Sequence, residues 1–313
     1  MLQPLGPVVV FPASNFPFAF GVCGGDTASA WAAHYPVIVK AHHSHPQTSD
    51  KFAKIVHKVI KNSNLPNGIF SMIQGKDPSV SETLPHHIDV AAVGFTGSHA
   101  VGRGLFDLAN SRKIPIPLFA EMKSINPVFI TEKAIEKKGQ HLSTLLANSI
   151  VLGTDQFCTK PGVIFIPKNA KDFSNDVPNE MKTINHGILL NENILTHLQE
   201  KLKKTLNNNH VFLASERPSE SSHHLSPVPT ILVTDDNTYL NDSHLQTEHF
   251  GPVALFVLCD TMKNYLTIAE HLDGQLTGTI LLAESERTQL RPLMEILSRK
   301  VGRVIINDVP TGV

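Results

Sequence analysis

Short runs of apolar, β-branched residues recur along the first part of the chain, at 7–11, 36–41, 68–74, 90–95 and 116–120, with polar and amphipathic stretches between them. Runs this short without polar alternation suit strands buried on both faces, and their interruption by helical segments predicts a parallel sheet covered by helices. Residues 47–62 place Phe52, Ile55, Val56, Val59 and Ile60 at helical spacing, with Thr48 or Ser49 available to cap the helix start. A further helix is predicted over 132–152. Strands near 163–167, 211–214, 230–233, 253–259, 278–282 and 303–307 then alternate with more helices, which makes the second half another α/β domain. The Asn run at 207–209 and the Ser, His and Pro-rich stretch 215–227 read as surface loops, and no internal repeat is visible.

The chain has 313 residues, 41% hydrophobic and 18% charged, enough apolar material for about two globular domains, which excludes disordered and collagen-like classes and a disulfide miniprotein. Twenty-seven basic residues against 28 acidic ones leave a net charge of -1, so no global field draws nucleic acid or an anionic bilayer, and a small-molecule partner is expected. Cys23, Cys158 and Cys259 are odd in number and far apart, which fits a reducing, cytoplasmic compartment and argues against a disulfide framework or a Cys-rich zinc site. No stretch is apolar and free of charge for the roughly 20 residues of a membrane span. The apolar start lacks a basic leader and is broken by Pro4, Pro7, Pro12 and Pro17, so it reads as a buried strand followed by a loop rather than an export signal.

Against that background a few side chains carry chemistry. Cys158 lies in Gly153-Thr-Asp-Gln-Phe-Cys-Thr-Lys-Pro-Gly162, between an apolar helix and an apolar strand, where a thiol can project into a cleft as a nucleophile. The plainer alternative is an inert small core residue, and that alternative is the stronger one for Cys23 and Cys259, which sit in apolar runs. Glu121 ends the fifth strand, at the edge where parallel sheets collect ligands; it suits a general base or, more plainly, a solvated strand-end carboxylate. Asn15, in Phe11-Pro-Ala-Ser-Asn-Phe-Pro-Phe18, can donate to an oxyanion or merely close an Asx turn. Phe95-Thr-Gly-Ser-His-Ala-Val-Gly102 joins a strand to a helix, so its amides can face a phosphate, although its two glycines lack the G-x-G-x-x-G spacing.

In this order, these pieces resemble the aldehyde dehydrogenase family over essentially the whole chain. The segments Phe11-Pro-Ala-Ser-Asn-Phe-Pro-Phe-Ala-Phe20, Gly24-Gly-Asp-Thr-Ala-Ser-Ala30, Val39-Lys-Ala-His42, Phe119-Ala-Glu-Met122, Ile125-Asn-Pro-Val-Phe129 and Gln156-Phe-Cys-Thr159 look most like its ketoglutarate semialdehyde dehydrogenase branch. The resemblance implies a Rossmann-type, parallel-sheet dinucleotide-binding domain over 1–123 and a second α/β, catalytic domain over 124–313. It implies NAD or NADP as cofactor and a small aldehyde as substrate. It further implies Cys158 as nucleophile, the Asn15 side chain and the Cys158 amide as oxyanion donors, and Glu121 as the base that activates water. Lys40 matches the lysine that bonds the adenosine ribose, and Gly97, Ser98 and Gly102 match the pyrophosphate turn. Glu248 matches the glutamate that holds the nicotinamide ribose, with Phe250 packing beside it.

Several departures from the family pattern follow. His43 stands where many NAD-preferring relatives have a ribose-chelating carboxylate, which removes a repulsion against NADP, and the cluster His42, His43, His45 adds positive charge there when protonated. The cluster lacks a Cys or acidic partner for zinc, and His86-His87 and His223-His224 read as solvated loop histidines, so no metal is expected. Lys123 and Asp155 replace usual glycines; they are expected either to pair with each other or to stand as two tolerated substitutions. Relatives also carry a helical region before the first strand and a segment after Val313 that supplies oligomer contacts. The family's homo-oligomer is therefore not carried over to this chain, and a nucleotide-binding or partner-dependent fragment stands as the alternative to an active enzyme.

Overall fold

A computed structural model describes residues 3–122, 124–185, 187–214 and 223–310. The chain divides into two compact units, Met1–Lys123 and Ser124–Val313.

The first unit alternates strand and helix: β1 (Val8–Phe11), α1 (Gly25–Ala32), β2 (Val37–Lys40), α2 (Pro46–Asn62), β3 (Phe70–Ile73), α3 (Pro78–His86), β4 (Ala92–Thr96), α4 (His99–Asn110) and β5 (Leu118–Glu121). The five strands form one parallel sheet in the order β3-β2-β1-β4-β5. Strand β1 shows why its sequence is apolar throughout. Val8 and Val10 pack on one face with Val37, Val39, Ala53 and Phe70, while Val9 and Phe11 pack on the other with Val93, Phe95 and Leu105. Both pleat directions are covered by helices, so no polar alternation survives. The order of the strands reverses between β1 and β4, the kind of switch point outside whose C-terminal strand ends open parallel sheets bind ligands.

The second unit contains β6 (Val128–Ile130), α5 (Glu132–Val151), β7 (Val163–Pro167), α6 (Phe173–Met181), α7 (Glu192–Leu206), β8 (Phe212–Leu213), β9 (Thr230–Asp235), α8 (Asp236–Asn241), β10 (Val253–Cys259), α9 (Met262–His271), β11 (Gln275–Leu281), α10 (Arg291–Lys300) and β12 (Val301–Ile306). Its seven-stranded sheet has the order β12-β11-β6-β7-β10-β9-β8, parallel except for the antiparallel edge pair β8 and β9. Leu142, Leu146 and Ile150 of α5 cover one face with Ile164, Ile166 and Phe256. Leu198 and Leu202 of α7, Tyr265 and Ile268 of α9 and Leu293 and Leu297 of α10 cover the other, with Phe129, Phe165 and Leu255. The Tyr265 hydroxyl, fully enclosed there, donates to the Ile130 carbonyl at 2.7 Å, which satisfies the one polar atom of a large buried ring.

Most expected strands appear within two or three residues of their predicted limits. Strand β6 is absent from the expectation: Val-Phe-Ile, held between Pro127 and Thr131, is too short to show a period, yet it lies inside the sheet between β11 and β7. His86 is the last residue of α3 rather than a loop residue, a correction to the sequence reading, while His87 lies beyond the helix as expected, and both are exposed. The expected loop at 215–227 lies largely outside the described residues.

Candidate active site

In the first unit the expected residues gather at one edge of the sheet. Lys40 ends β2, Asn15 follows β1, Gly97 and Ser98 follow β4, and Glu121 ends β5. Adjacent strands β2, β1, β4 and β5 thus deliver an ammonium, an amide, a helix N-terminus and a carboxylate to the C-terminal edge of a parallel sheet. Asn15 is half-buried in the bend after β1. Its loop is tied to α2: the His45 ring approaches the Ala13 carbonyl through Nε2 at 3.1 Å and Ser49 Oγ through Nδ1 at 3.2 Å, which fixes the Nε2–H tautomer. Glu121 is half-buried, and its Oε1 is enclosed with no hydrogen-bond partner among the described residues, as a carboxylate oxygen kept for a water or substrate would be.

The α4 entrance fits a dinucleotide. Ser98 is the N-cap and accepts from the Val101 amide, which leaves the amides of Ser98, His99 and Ala100 without intrahelical acceptors. Close approach is built in: a Cβ at Gly97 would sit 2.8 Å from Phe95 Cζ, and one at Gly102 would sit 2.7 Å from Met122 Cγ. Lys40 is half-buried, and burial lowers its pKa from the ordinary lysine value. Burial, and then the neighbouring His43, His45 and Lys40 charges, lower His42 to about 4, and burial together with Lys40 and Lys76 lowers the exposed His43 as well. The His42 and His43 rings stack 4.5 Å apart, and burial works against the protonated forms that would add positive charge here.

In the second unit Cys158 is half-buried in the loop between α5 and β7. Asn126, fully enclosed, holds that loop. Its Nδ2 donates to the carbonyls of Cys158 and Lys160, each at 2.8 Å, while its Oδ1 accepts from Ser124 Oγ, the Thr277 amide and Thr277 Oγ1. Gln156 adds a second tether, accepting from the Leu190 amide at 2.8 Å. Cys259 is buried on β10 and its thiol is pushed up by burial; Cys23 is half-buried and its thiol is also raised by burial.

The loop's entry is unusual: Gly153, Thr154 and Asp155 have φ of 57°, 57° and 58°. A left-handed conformation such as that at 155 favours glycine, which has no Cβ to clash. Here Asp155 adopts it, and its carboxylate is bound by Lys160 Nζ at 2.5 Å, with both side chains enclosed. Asp155 pairs with Lys160; the alternative of a pairing with Lys123 falls on a residue outside the described residues. Burial holds the Asp155 carboxyl well above the usual range, against the opposing pull of Lys160.

Lys160 also donates to the carbonyls of Gly251 and Val253, each at 2.9 Å. It thereby brings the Cys158 loop to the segment carrying the half-buried Glu248 and Phe250, where Lys201 Nζ bonds the Glu248 carbonyl. Sequence reasoning assigned no role to Asn126 or Lys160. A lysine at 2% exposure is rare enough without a partner that the Asp five residues earlier was the available signal. Gly251 has φ of 144°, and a Cβ there would lie 2.5 Å from Leu198 Cδ2. Gly251→Ala is expected to destabilise the chain by about 2–3 kcal/mol in thermal unfolding; a loss under about 0.5 kcal/mol would show that this backbone relaxes freely.

The model of the aldehyde dehydrogenase family matches residues 1–313, and the chain belongs to that family. It is similar to the alpha-ketoglutaric semialdehyde dehydrogenase of Acinetobacter baylyi, with 39% identity over 313 residues covering 99% of this chain and 59% of that protein. The alpha-ketoglutaric semialdehyde dehydrogenase 2 of Azospirillum brasilense is 36% identical, with the same coverage. The chain therefore spans about three-fifths of the length of these curated relatives. Among solved structures, lactaldehyde dehydrogenase from Escherichia coli shares the fold at a TM-score of 0.82 and 22% identity, covering 99% of this chain and 64% of that one. Glyceraldehyde-3-phosphate dehydrogenase GapN from Methanocaldococcus jannaschii, complexed with NADP, shares it at a TM-score of 0.80 and 21% identity, covering 98% and 65%. No described helix is long and apolar enough to cross a membrane, and no described group of His, Cys, Asp and Glu side chains is arranged to hold a metal ion.

Proposed function

We propose that this chain carries the NAD(P)-dependent oxidation of an aldehyde to a carboxylate, with a semialdehyde as substrate class, in the cytoplasm. The observation that supports this most is that a chain of this family carries both a half-buried Cys158 on a clamped loop and a sheet edge bearing Lys40, Asn15, Ser98 and Glu121. In this reading the first unit is the dinucleotide-binding domain and the second the catalytic domain. Ser98, Gly97 and Gly102 receive the pyrophosphate, Lys40 and His43 the adenosine ribose, and Glu248 and Phe250 the nicotinamide end. The bound cofactor supplies the hydride acceptor.

The Cys158 thiolate adds to the aldehyde carbon, and the new alkoxide is held by the Asn15 amide and the Cys158 backbone N–H. Loss of hydride leaves a thioester on the sulfur. Glu121 then takes a proton from the water that attacks the acyl carbon, and the sulfur leaves as thiolate, which frees the carboxylate product. Two relatives named for alpha-ketoglutaric semialdehyde support an acidic semialdehyde as substrate. The second reading is a chain that binds nucleotide without turnover, or that acts only with a partner polypeptide.

The test is to mix the chain with alpha-ketoglutaric semialdehyde and either NAD or NADP, following reduced nicotinamide and, separately, cofactor binding by equilibrium titration. Turnover and a measurable NADP response are expected. Binding without turnover selects the second reading, and a response to NAD alone overturns the role given to His43.

A further inference from the structure

Residues 248–250 belong to no helix or strand, yet they carry Glu248 and Phe250, the two side chains proposed at the nicotinamide end. Without a ladder of its own backbone bonds, such a segment is set by what its neighbours bond to it. Burial alternates along it: Glu248 and Phe250 are half-buried, and His249 between them is enclosed, at 4% exposure. Helix α7 meets the segment along one stripe. Leu198, Lys201 and Thr205, spaced by three and four residues, lie on the same face of that helix. Leu198 fills the space beside Gly251, Lys201 Nζ donates to the Glu248 carbonyl, and the enclosed Thr205 hydroxyl meets His249 Nε2 at 2.9 Å. The hydroxyl's single proton goes to the Lys201 carbonyl at 3.0 Å, so its oxygen accepts from the ring, which carries a proton on Nε2. Burial, and then the charges of Lys201, Lys160 and His244, hold His249 well below the ordinary histidine range, which favours the neutral ring. Leucine would fill an enclosed site without the cost of taking ring nitrogens out of water. What imidazole adds is direction: a bond that fixes where along α7 the residue between Glu248 and Phe250 is held.

We propose that His249 is a positioning residue for Glu248: the ring's bond to Thr205 and the Lys201 bond to the Glu248 carbonyl pin the peptide between 248 and 249 to one stripe of α7, so that the Glu248 side chain is set before the nicotinamide ribose arrives. This rests on Glu248 being a cofactor contact, and its test reads binding and needs no turnover.

The experiment titrates the full chain with NADH or NADPH, whichever binds more tightly, and separately with ADP, which lacks the nicotinamide and its ribose. His249→Leu is expected to weaken the dinucleotide about fivefold, as loss of one oriented hydrogen bond does, and to leave ADP within about twofold. Thr205→Val, which removes the acceptor and keeps the ring, is expected to do the same, and the two changes together no more than either, since they cut one bond. His249→Gln, whose amide nitrogen reaches as far as Nε2, is expected to bind as the unaltered chain does. A ring that only fills the core gives a different pattern: leucine and glutamine variants that both bind as the unaltered chain does, or that both lose the dinucleotide and ADP alike, overturn the proposal. Should His249→Leu fail to fold, Thr205→Val against His249→Gln carries the comparison. Glu248→Ala separates the positioning role from the reading beneath it, and is expected to weaken the dinucleotide at least as far as His249→Leu. A loss in Glu248→Ala with none in His249→Leu and Thr205→Val removes the positioning role alone; unchanged affinity in Glu248→Ala shows that Glu248 is no cofactor contact and removes both.

Discussion

Asn126→Ala is expected to destabilise the second unit by about 3–5 kcal/mol and to lower its melting temperature by roughly 10 °C. The side chain is fully enclosed and satisfies two carbonyls, those of Cys158 and Lys160, while accepting from the Thr277 amide and the hydroxyls of Ser124 and Thr277. Alanine leaves those carbonyls and that amide buried without partners, and each orphaned group costs about 1–3 kcal/mol. Asn126 also has φ of 42°, a conformation that asparagine tolerates better than alanine. Thermal unfolding of the variant measures the loss, and one below about 1 kcal/mol would mean that water replaces the amide and that the Cys158 loop is held by other contacts.

The second large effect concerns chemistry rather than folding. Cys158→Ala is expected to reduce aldehyde oxidation about ten-thousand-fold or more while leaving nucleotide affinity within about twofold, because the proposed dinucleotide contacts of the first unit are untouched. The contact that holds the loop runs through the Cys158 backbone carbonyl, which alanine keeps, so loss of fold is not the expected cause. Steady-state turnover beside a binding titration separates the two. Turnover retained within tenfold would remove the thiol from the mechanism and return Cys158 to the standing of Cys23 and Cys259.

The legible part of the sequence and the illegible part divide on physical lines. Strands such as Val8–Phe11 and Val253–Cys259 announce themselves because both faces are buried and every position must be apolar. Helix α2 is legible from the helical spacing of Phe52, Ile55, Val56, Val59 and Ile60, although Ile55 and Val59 prove exposed and the buried stripe runs through Ser49, Ala53 and Ile60. Glu121 was nameable because strand ends are predictable and a parallel sheet collects ligands there, Asn15 because an amide set among aromatics and prolines stands out, and Lys40 through the family resemblance. Strand β6 was not, since three residues carry no period and its burial comes from neighbours far along the chain. Asn126 and Lys160 were hidden for a related reason. An asparagine in a loop and a lysine after a proline-bounded turn look like surface until the tertiary structure closes over them, and their partners at 275–277 and 251–253 are about a hundred residues away or more. The histidine cluster shows a third limit: sequence gives the count of imidazoles but not the burial that decides their charge.

Strand β5, which delivers Glu121, lies at the end of its sheet and is bonded within the unit only to β4. Border strands have hydrogen bonds on one side and separate from a sheet at lower free energy than interior ones, so local opening of this unit reaches the proposed base before it reaches the Asn15 loop behind β1. Under the proposed function, heat or mild denaturant is therefore expected to abolish deacylation while acyl transfer to the sulfur persists.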